Sequence, residues 1–361
     1  MYTKKLTKKE QNTLWCLINY PTLNDKAVAK KTRLKLSTIT AIRRRFREKE
    51  HFHTVNIPNF YRIGYELLSV EYGPFNEAVP VEKRIKYFKE YLEKDPNSIF
   101  ALMGRSNGIV FSVASNYAEV NSHYENMEMF FTSHNLTEDA GWSRAIFPFQ
   151  TSTFWNFFDF SPVIRYSYDI KRKINLRDFS SLKNVDPVRL SKKEKRVLYG
   201  LVKYPEESDN SVADRFGVSR QAVSTIKKRF GKEDLITTKR ILNFEFTKCE
   251  LVVFAYTYFG TRAPIEMRKT GLDFTKESAP TFVGISSNFE NILMAAMKSY
   301  PEFEKLKEKI LSFYKTHLSI AKPPEILLFP VEDILYIKNL TFHELLGDFL
   351  GFTEKKRKAR S

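Results

Sequence analysis

The chain has 361 residues, of which 42% are hydrophobic and 14% aromatic, a composition that buries cores and excludes a disordered polymer. Its 59 Lys and Arg against 42 Asp and Glu give a formal charge of +17, which points to a polyanionic partner, nucleic acid or an anionic membrane surface. No apolar run approaches the ~18 residues of a membrane span, the opening MYTKKLTKKE has no signal-peptide core, and only Cys16 and Cys249 are present, against a disulfide framework or a thiolate zinc site. The expectation is a cytoplasmic, nucleoid-associated protein with no membrane segment, no metal and no cofactor.

In KAVAKKTRLKLSTITAIRRRF, Lys26 to Phe46, the residues Ile39, Ile42 and Phe46 form the buried stripe of a helix. Its other side presents Ser37, Thr38, Thr40, Ala41, Arg43 and Arg44. HFHTVNIPNF follows as a strand-like segment; His51 and His53, without further ligands, read as surface residues rather than a metal site. YELLSVEYGPF is then a strand, VEKRIKYFKEYLEKDP a helix, SIFALMGRS and NGIVFSVAS a hairpin, YAEVNSHYENMEMFFTSHN a helix and WSRAIFPFQTST a strand. Right-handed crossovers in this βαββαβ order give a ferredoxin-like antiparallel sheet with two helices on one face. The other face is most economically covered by the sheet of a sister half. The aromatic run FWNFFDF, Phe154 to Phe160, reads as core or subunit interface, and the charged stretch from Arg165 to Leu190 as a connector.

The chain then repeats itself. Leu6 falls on Leu190 and Phe60 on Phe244 without a gap, a displacement of 184 residues, with Tyr20-Pro21 on Tyr204-Pro205 and Arg45-Phe46 on Arg229-Phe230. The displacement drifts slightly but persists to Phe147-Pro148 and Phe329-Pro330, so the protein is two copies of one unit. In the second copy Ser191 and Glu194 form a capping box before a helix whose buried face is Val197, Leu198, Leu201 and Val202. Asp209 opens a second helix with Val212, Ala213 and Phe216 inside. Gly217 supplies the left-handed turn, and Ser219 caps a third helix with Val223, Ile226 and Phe230 inward. This is a helix-turn-helix. In the first copy Arg33 stands at the position of Gly217, so its turn is expected to be made differently.

The exposed side of the third helix carries Ser219, Arg220, Gln221, Ser224, Thr225, Lys227 and Lys228. Arg suits guanine, Gln adenine, and Lys phosphate, the chemistry of a major-groove reader. LITTKRILNF follows as a strand, with Lys239 and Arg240 expected at a wing tip near phosphates. A second βαββαβ set runs from ELVVFAYTYF to EILLFPVED, and the tail EKKRKARS is either a solvated end or an accessory phosphate contact. The fold class is therefore α+β, a tandem duplication of a winged helix-turn-helix and a ferredoxin-like domain, the two sheets packing as a pseudo-dimer. The expected boundaries are 1–60 and 190–244 for the winged helices, 61–164 and 245–350 for the sheet domains, 165–189 for the linker and 351–361 for the tail.

A winged helix whose wing runs through NIPNFYRIGYELLSVEYG into a βαββαβ domain resembles the leucine-responsive regulator (Lrp/AsnC) family of transcription factors over Leu6 to Phe149 and Leu190 to Pro330. The resemblance implies that Ser37 to Arg44 and Arg220 to Lys228 are recognition helices and that the sheet domains dimerise and sense ligands. It also fits an archaeal source. The family's Gly and Asp between the second and third strands are matched only loosely by Gly104 in GRSNG, and the acidic residue is missing, so amino-acid sensing by that chemistry is not expected. The functional expectation is a double-stranded DNA-binding transcription regulator, a fused pseudo-dimer with unlike recognition helices reading an asymmetric site. A homodimer and an unidentified small effector stay open as partners. A replication initiator with tandem winged helices and a nucleoid-architectural protein are the alternatives. With no phosphate-cradling loop, metal-spaced ligand set or nucleophile motif, no enzymatic activity is expected.

Overall fold

The computed structural model describes residues 6–137, 141–171, 186–259, 265–317 and 322–350. The basic tail and most of the expected connector lie outside these residues. Each half opens with three helices: α1 (Lys8–Asn19), α2 (Asp25–Thr32) and α3 (Leu36–Glu48), then α7 (Lys192–Lys203), α8 (Asp209–Phe216) and α9 (Arg220–Lys232). Their starts are written locally. Thr7 with Glu10, and Ser191 with Glu194, form capping boxes, and Asn24, Ser208 and Ser219 accept from the first-turn amides of α2, α8 and α9. The expected stripes are inside: Ile39, Ile42 and Phe46 in the first half, Val223, Ile226 and Phe230 in the second. Gly200 on α7 lets Phe216 dock, since a Cβ there would lie 2.6 Å from its ring.

The first turn is made in the same way as the second. Arg33 has φ +57° and Gly217 φ +63°, so a bulky L-residue holds the left-handed cap that glycine holds in the other copy. That conformation costs a non-glycine residue about 1–2 kcal/mol. Arg33→Gly is therefore expected to stabilise the first helix-turn-helix by about 1 kcal/mol, read as a higher urea midpoint at unchanged slope.

β1 (Phe52–Pro58) and β7 (Ile236–Leu242) pair with each other as a two-stranded sheet. The strand after each helix-turn-helix is thus single and finds its partner in the other copy instead of folding into a hairpin of its own. The Asn59 N–H donates to the Leu235 carbonyl and the Asn243 N–H to the His51 carbonyl, at 2.9 and 3.0 Å.

The βαββαβ order appears twice, as β2 (Leu67–Pro74), α4 (Val81–Lys94), β3 (Ser98–Met103), β4 (Asn107–Ala114), α5 (Tyr117–Ser133) and β5 (Ser143–Pro148), and as β8 (Leu251–Tyr258), α10 (Ile265–Ser278), β9 (Thr281–Ser286), β10 (Glu290–Met297), α11 (Tyr300–His317) and β11 (Glu325–Pro330). Each sheet has five strands because each takes one from the other half. β12 (Leu335–Asn339) completes the order β12-β3-β4-β2-β5, and β6 (Thr153–Trp155) the order β11-β8-β10-β9-β6. Two short helices, α6 (Ser161–Ser167) and α12 (His343–Leu350), follow the exchanged strands.

The backbone divides into two compact units that cut across the repeat. One contains α1 to α3, the β8–β11 sheet, β6 and α6; the other contains the β2–β5 sheet, α7 to α9, β12 and α12. In the first unit the FWNFFDF run is core. Phe154, Trp155, Phe157, Phe158 and Phe160 are all at most 2% exposed, Phe160 stacks on Phe282, and Trp155 lies over Gly284, where a Cβ would sit 2.1 Å from the indole. In the second unit Phe60 meets Phe342, α12 packs on α7, and the Asn56 amide donates 2.7 Å to the Leu201 carbonyl. Among the described residues no helix is long and apolar enough to cross a membrane.

Candidate nucleic-acid interface

The two third helices present different chemistry on similar scaffolds. On α3, Ser37, Thr40, Ala41 and Arg44 are exposed, and Thr38 and Arg43 are half-buried. On α9, Arg220, Gln221, Thr225, Lys227 and Lys228 are exposed and Ser224 is half-buried; Ser219 is exposed, and its hydroxyl is occupied in capping the Ala222 amide.

An aspartate at the start of each second helix ties down the third helix. Asp25 accepts from Thr40 at 2.9 Å and pairs with Arg43 at 2.8 Å, while Arg43 also donates to the Leu23 carbonyl. Asp209 pairs with Lys227 at 3.0 Å, displaced by the same 184 residues at both ends. A second pair of contacts ties the far end of each helix back to the capping box: Arg45 to Glu10 at 3.2 Å and Arg229 to Glu194 at 2.5 Å. Although partial burial raises both carboxyls, the Thr7 or Ser191 hydrogen bonds and the arginine hold Glu10 and Glu194 below the ordinary range. With Arg43 and Thr40 already engaged, the side chains of α3 best placed to reach outward are Ser37, Ala41 and Arg44.

One residue has no counterpart among the expected contacts. Leu36 opens α3 and is 44% exposed, at the position Arg220 holds on α9. An exposed leucine there suits a thymine methyl where an arginine suits guanine. Its signal lies in the repeat register, as an apolar residue aligned with a cation. The N-cap of α3, Lys35, makes no side-chain cap hydrogen bond, unlike Ser219 on α9.

The expected wing tip is corrected. Lys239 and Arg240 are 7% and 8% exposed. Lys239 Nζ lies 2.7 Å from Asp159, and the Arg240 guanidinium donates to the Leu17 carbonyl at 2.7 Å. Both cations hold the first unit together, because β7 runs beneath α1 instead of protruding as a hairpin tip. His51 is likewise interior at 3% exposure, stacked 3.7 Å from Phe246 and 4.6 Å from Phe46. Burial, helped by Lys49, lowers its pKa to about 4. A base depressed in the folded state contributes stability above the unfolded value of 6.5, lost as pH falls toward about 4. The denaturant midpoint is therefore expected to drop between pH 6.5 and about 4, and His51→Phe to flatten that part of the profile.

A separate polar cluster lies on the helix side of the β2–β5 sheet. Ser98 Oγ and Ser112 Oγ are 3.2 Å apart, Ser112 Oγ is 3.2 Å from His123 Nε2, and His123 Nδ1 is 3.5 Å from Asp95. Glu71 beside them is fully buried and accepts from the Ser69 hydroxyl. Its burial pushes the carboxyl upward against the opposing pull of His123. Ser69, Glu71 and Ser112 are polar residues at core-facing strand positions, the one signal from which the cluster is legible. Among the described residues no group of three or more His, Cys, Asp or Glu is placed to hold a metal ion.

No family model and no curated protein matches the sequence. Among solved structures, the siroheme decarboxylase NirDL aligns over 95% of this chain and 98% of its own, with a TM-score of 0.52 and 10% identity. NirDL in complex with an iron-uroporphyrin III analogue aligns over 95% and 99%, also at 0.52 and 10%. An AsnC family regulator from Agrobacterium tumefaciens aligns over 39% of this chain and 90% of its own, at 0.32 and 15%. The expectation of no enzymatic activity is overturned by the full-length match, because that architecture houses an enzyme. By fold, this chain is an α+β arrangement in which a helix-turn-helix and a ferredoxin-like sheet each occur twice, laid out along its length as in NirDL.

Proposed function

We propose that this protein binds double-stranded DNA in a sequence-specific manner through α3 and α9, and acts as a transcription regulator on an asymmetric site. The observation that carries the reading is the pair of outward helices whose equivalent positions differ: Leu36 against Arg220, Ser37 against Gln221, Ala41 against Thr225, and Arg44 against Lys228. The net charge of +17 supports it through phosphate neutralisation. Association into a homodimer and control by a small effector belong to the same reading. Selection from a random duplex library with the full chain is expected to enrich two unlike half-sites at fixed spacing. Retention of DNA with no enriched motif supports instead an architectural protein, and enrichment of direct repeats a replication initiator.

A second, catalytic reading is favoured by the full-length likeness to a siroheme decarboxylase together with the Asp95–His123–Ser112 line. These groups could move a proton at a tetrapyrrole carboxylate, His123 acting as acid or base and Asp95 orienting its ring. Incubation with siroheme, followed by mass spectrometry for loss of carbon dioxide, tests it. Intact substrate after exhaustive incubation would remove this reading and leave the DNA reading untouched.

A further inference from the structure

The same space inside the two ferredoxin-like sheets is occupied in one half and open in the other. In the first half Gly73 and Gly108 are cross-strand partners on β2 and β4. Their lack of side chains lets the Trp142 indole lie on the sheet: a Cβ at either would come within 2.7 Å of that ring. Trp142 directs its Nε1–H to the Pro74 carbonyl at 2.9 Å and packs among Phe75, Phe88 and Phe131.

In the second half the equivalent cross-strand pair is Thr257 and Asn291. Where Trp142 precedes β5, Pro324 precedes β11. Proline cannot reach over the sheet, and Ala255 and Ala295 are small, so a cavity of about 70 Å³ remains between the sheet and α11. That is room for about two waters at their volume in the liquid. Its walls are apolar, with Val253, Leu306 and Ile310 among them, and an apolar chamber of this kind stays dry or takes an apolar guest. Leu306 and Ile310, on the α11 wall, are only half-buried.

Asn291 is 6% exposed, lines this cavity, and its side-chain oxygen has no hydrogen-bond partner. A buried acceptor left unmatched costs about 1–3 kcal/mol, so it invites a donor from a guest. Lys307, the cation on the wall, is already paired with Glu304, so its charge is met without an ionic ligand.

We propose that this cavity is a binding site for a small neutral ring bearing one hydrogen-bond donor, of the phenol or indole class, whose O–H or N–H is accepted by Asn291 Oδ1. The first half supplies such a ring from its own chain as Trp142; the second half takes it as a ligand. The proposal does not depend on what the helix-turn-helices bind.

Titration calorimetry of the full chain with phenol, indole and toluene tests it. Saturable one-to-one binding of phenol or indole is expected, at least about threefold tighter than that of toluene, which offers no donor. Asn291→Leu is expected to erase the preference over toluene, by about three- to tenfold, and Ala295→Phe to abolish binding of all three. Should either variant fail to fold, amide hydrogen exchange of the wild-type chain serves: ligand-dependent protection in β10 and α11 supports the site. No saturable binding at millimolar ligand, equal binding of toluene and phenol, or protection confined to other elements overturns it.

Discussion

Replacing Arg220 and Gln221 together by alanine is expected to cost about 2–6 kcal/mol of specific affinity for the selected duplex, since each bidentate base contact is worth about 1–3 kcal/mol. Both side chains are exposed at the start of α9, so the loss is expected without a change in unfolding temperature. Binding to random duplex falls far less, and its salt slope by about one, because a single cation is removed. Fluorescence anisotropy on specific and random duplexes at several salt concentrations measures both quantities. Undiminished discrimination between the two duplexes would take base reading away from α9.

Lys239→Met is expected to destabilise the first unit by about 3–5 kcal/mol, because it leaves Asp159 buried without its partner. Burial alone would raise the Asp159 carboxyl; the Lys239 charge and hydrogen bond, with Ser161, hold it below its ordinary value. An acid with a depressed folded value contributes stability above the unfolded 3.8 that is lost as pH falls through the folded value. Wild type is thus expected to lose stability in acid below about pH 4, a limb that Lys239→Met with Asp159→Leu lacks while recovering much of the lost stability. Urea titration across pH reads both effects. A variant that unfolds like wild type but binds DNA with a shallower salt slope would restore Lys239 to the phosphate backbone.

Lys228 and Lys239 are both lysines in short amphipathic segments, yet the first is exposed and the second buried. Lys228 lies on a helix whose own 3.6-residue period shows which side is buried, so its exposure was readable from its neighbours. Lys239 lies on a strand, where alternation separates two faces but does not tell what covers either of them. The groups that cover this strand, Asp159 and the end of α1, are distant in the chain.

Local rules were enough for the helix-turn-helices and the two βαββαβ runs, though not for β6, β12, α6 and α12, because capping, periodicity and turn chemistry act over a few residues. The repeat register was likewise readable, and with it the unlike exposed faces of α3 and α9. Arg33 shows a limit of the same local rules. Glycine at that position in the second copy signalled a left-handed turn, but nothing in the first copy's arginine does; there the Arg33 and Leu34 N–H groups donate to the Ala29 carbonyl, with Val28 and Ile39 buried on either side.

Tertiary structure alone decided which copy's strand completes each sheet. β6 and β12 are short strands of three and five residues, and in a duplicated chain pairing within a copy or with the other satisfies the same backbone hydrogen bonds, so sequence periodicity cannot choose between them. Close packing made the choice: Trp155 on β6 fits over the bare backbone of Gly284 on β9. The same fit, a large ring over glycine, fills one sheet's interior with Trp142 and, where Thr257 and Asn291 replace the two glycines, leaves the other's open.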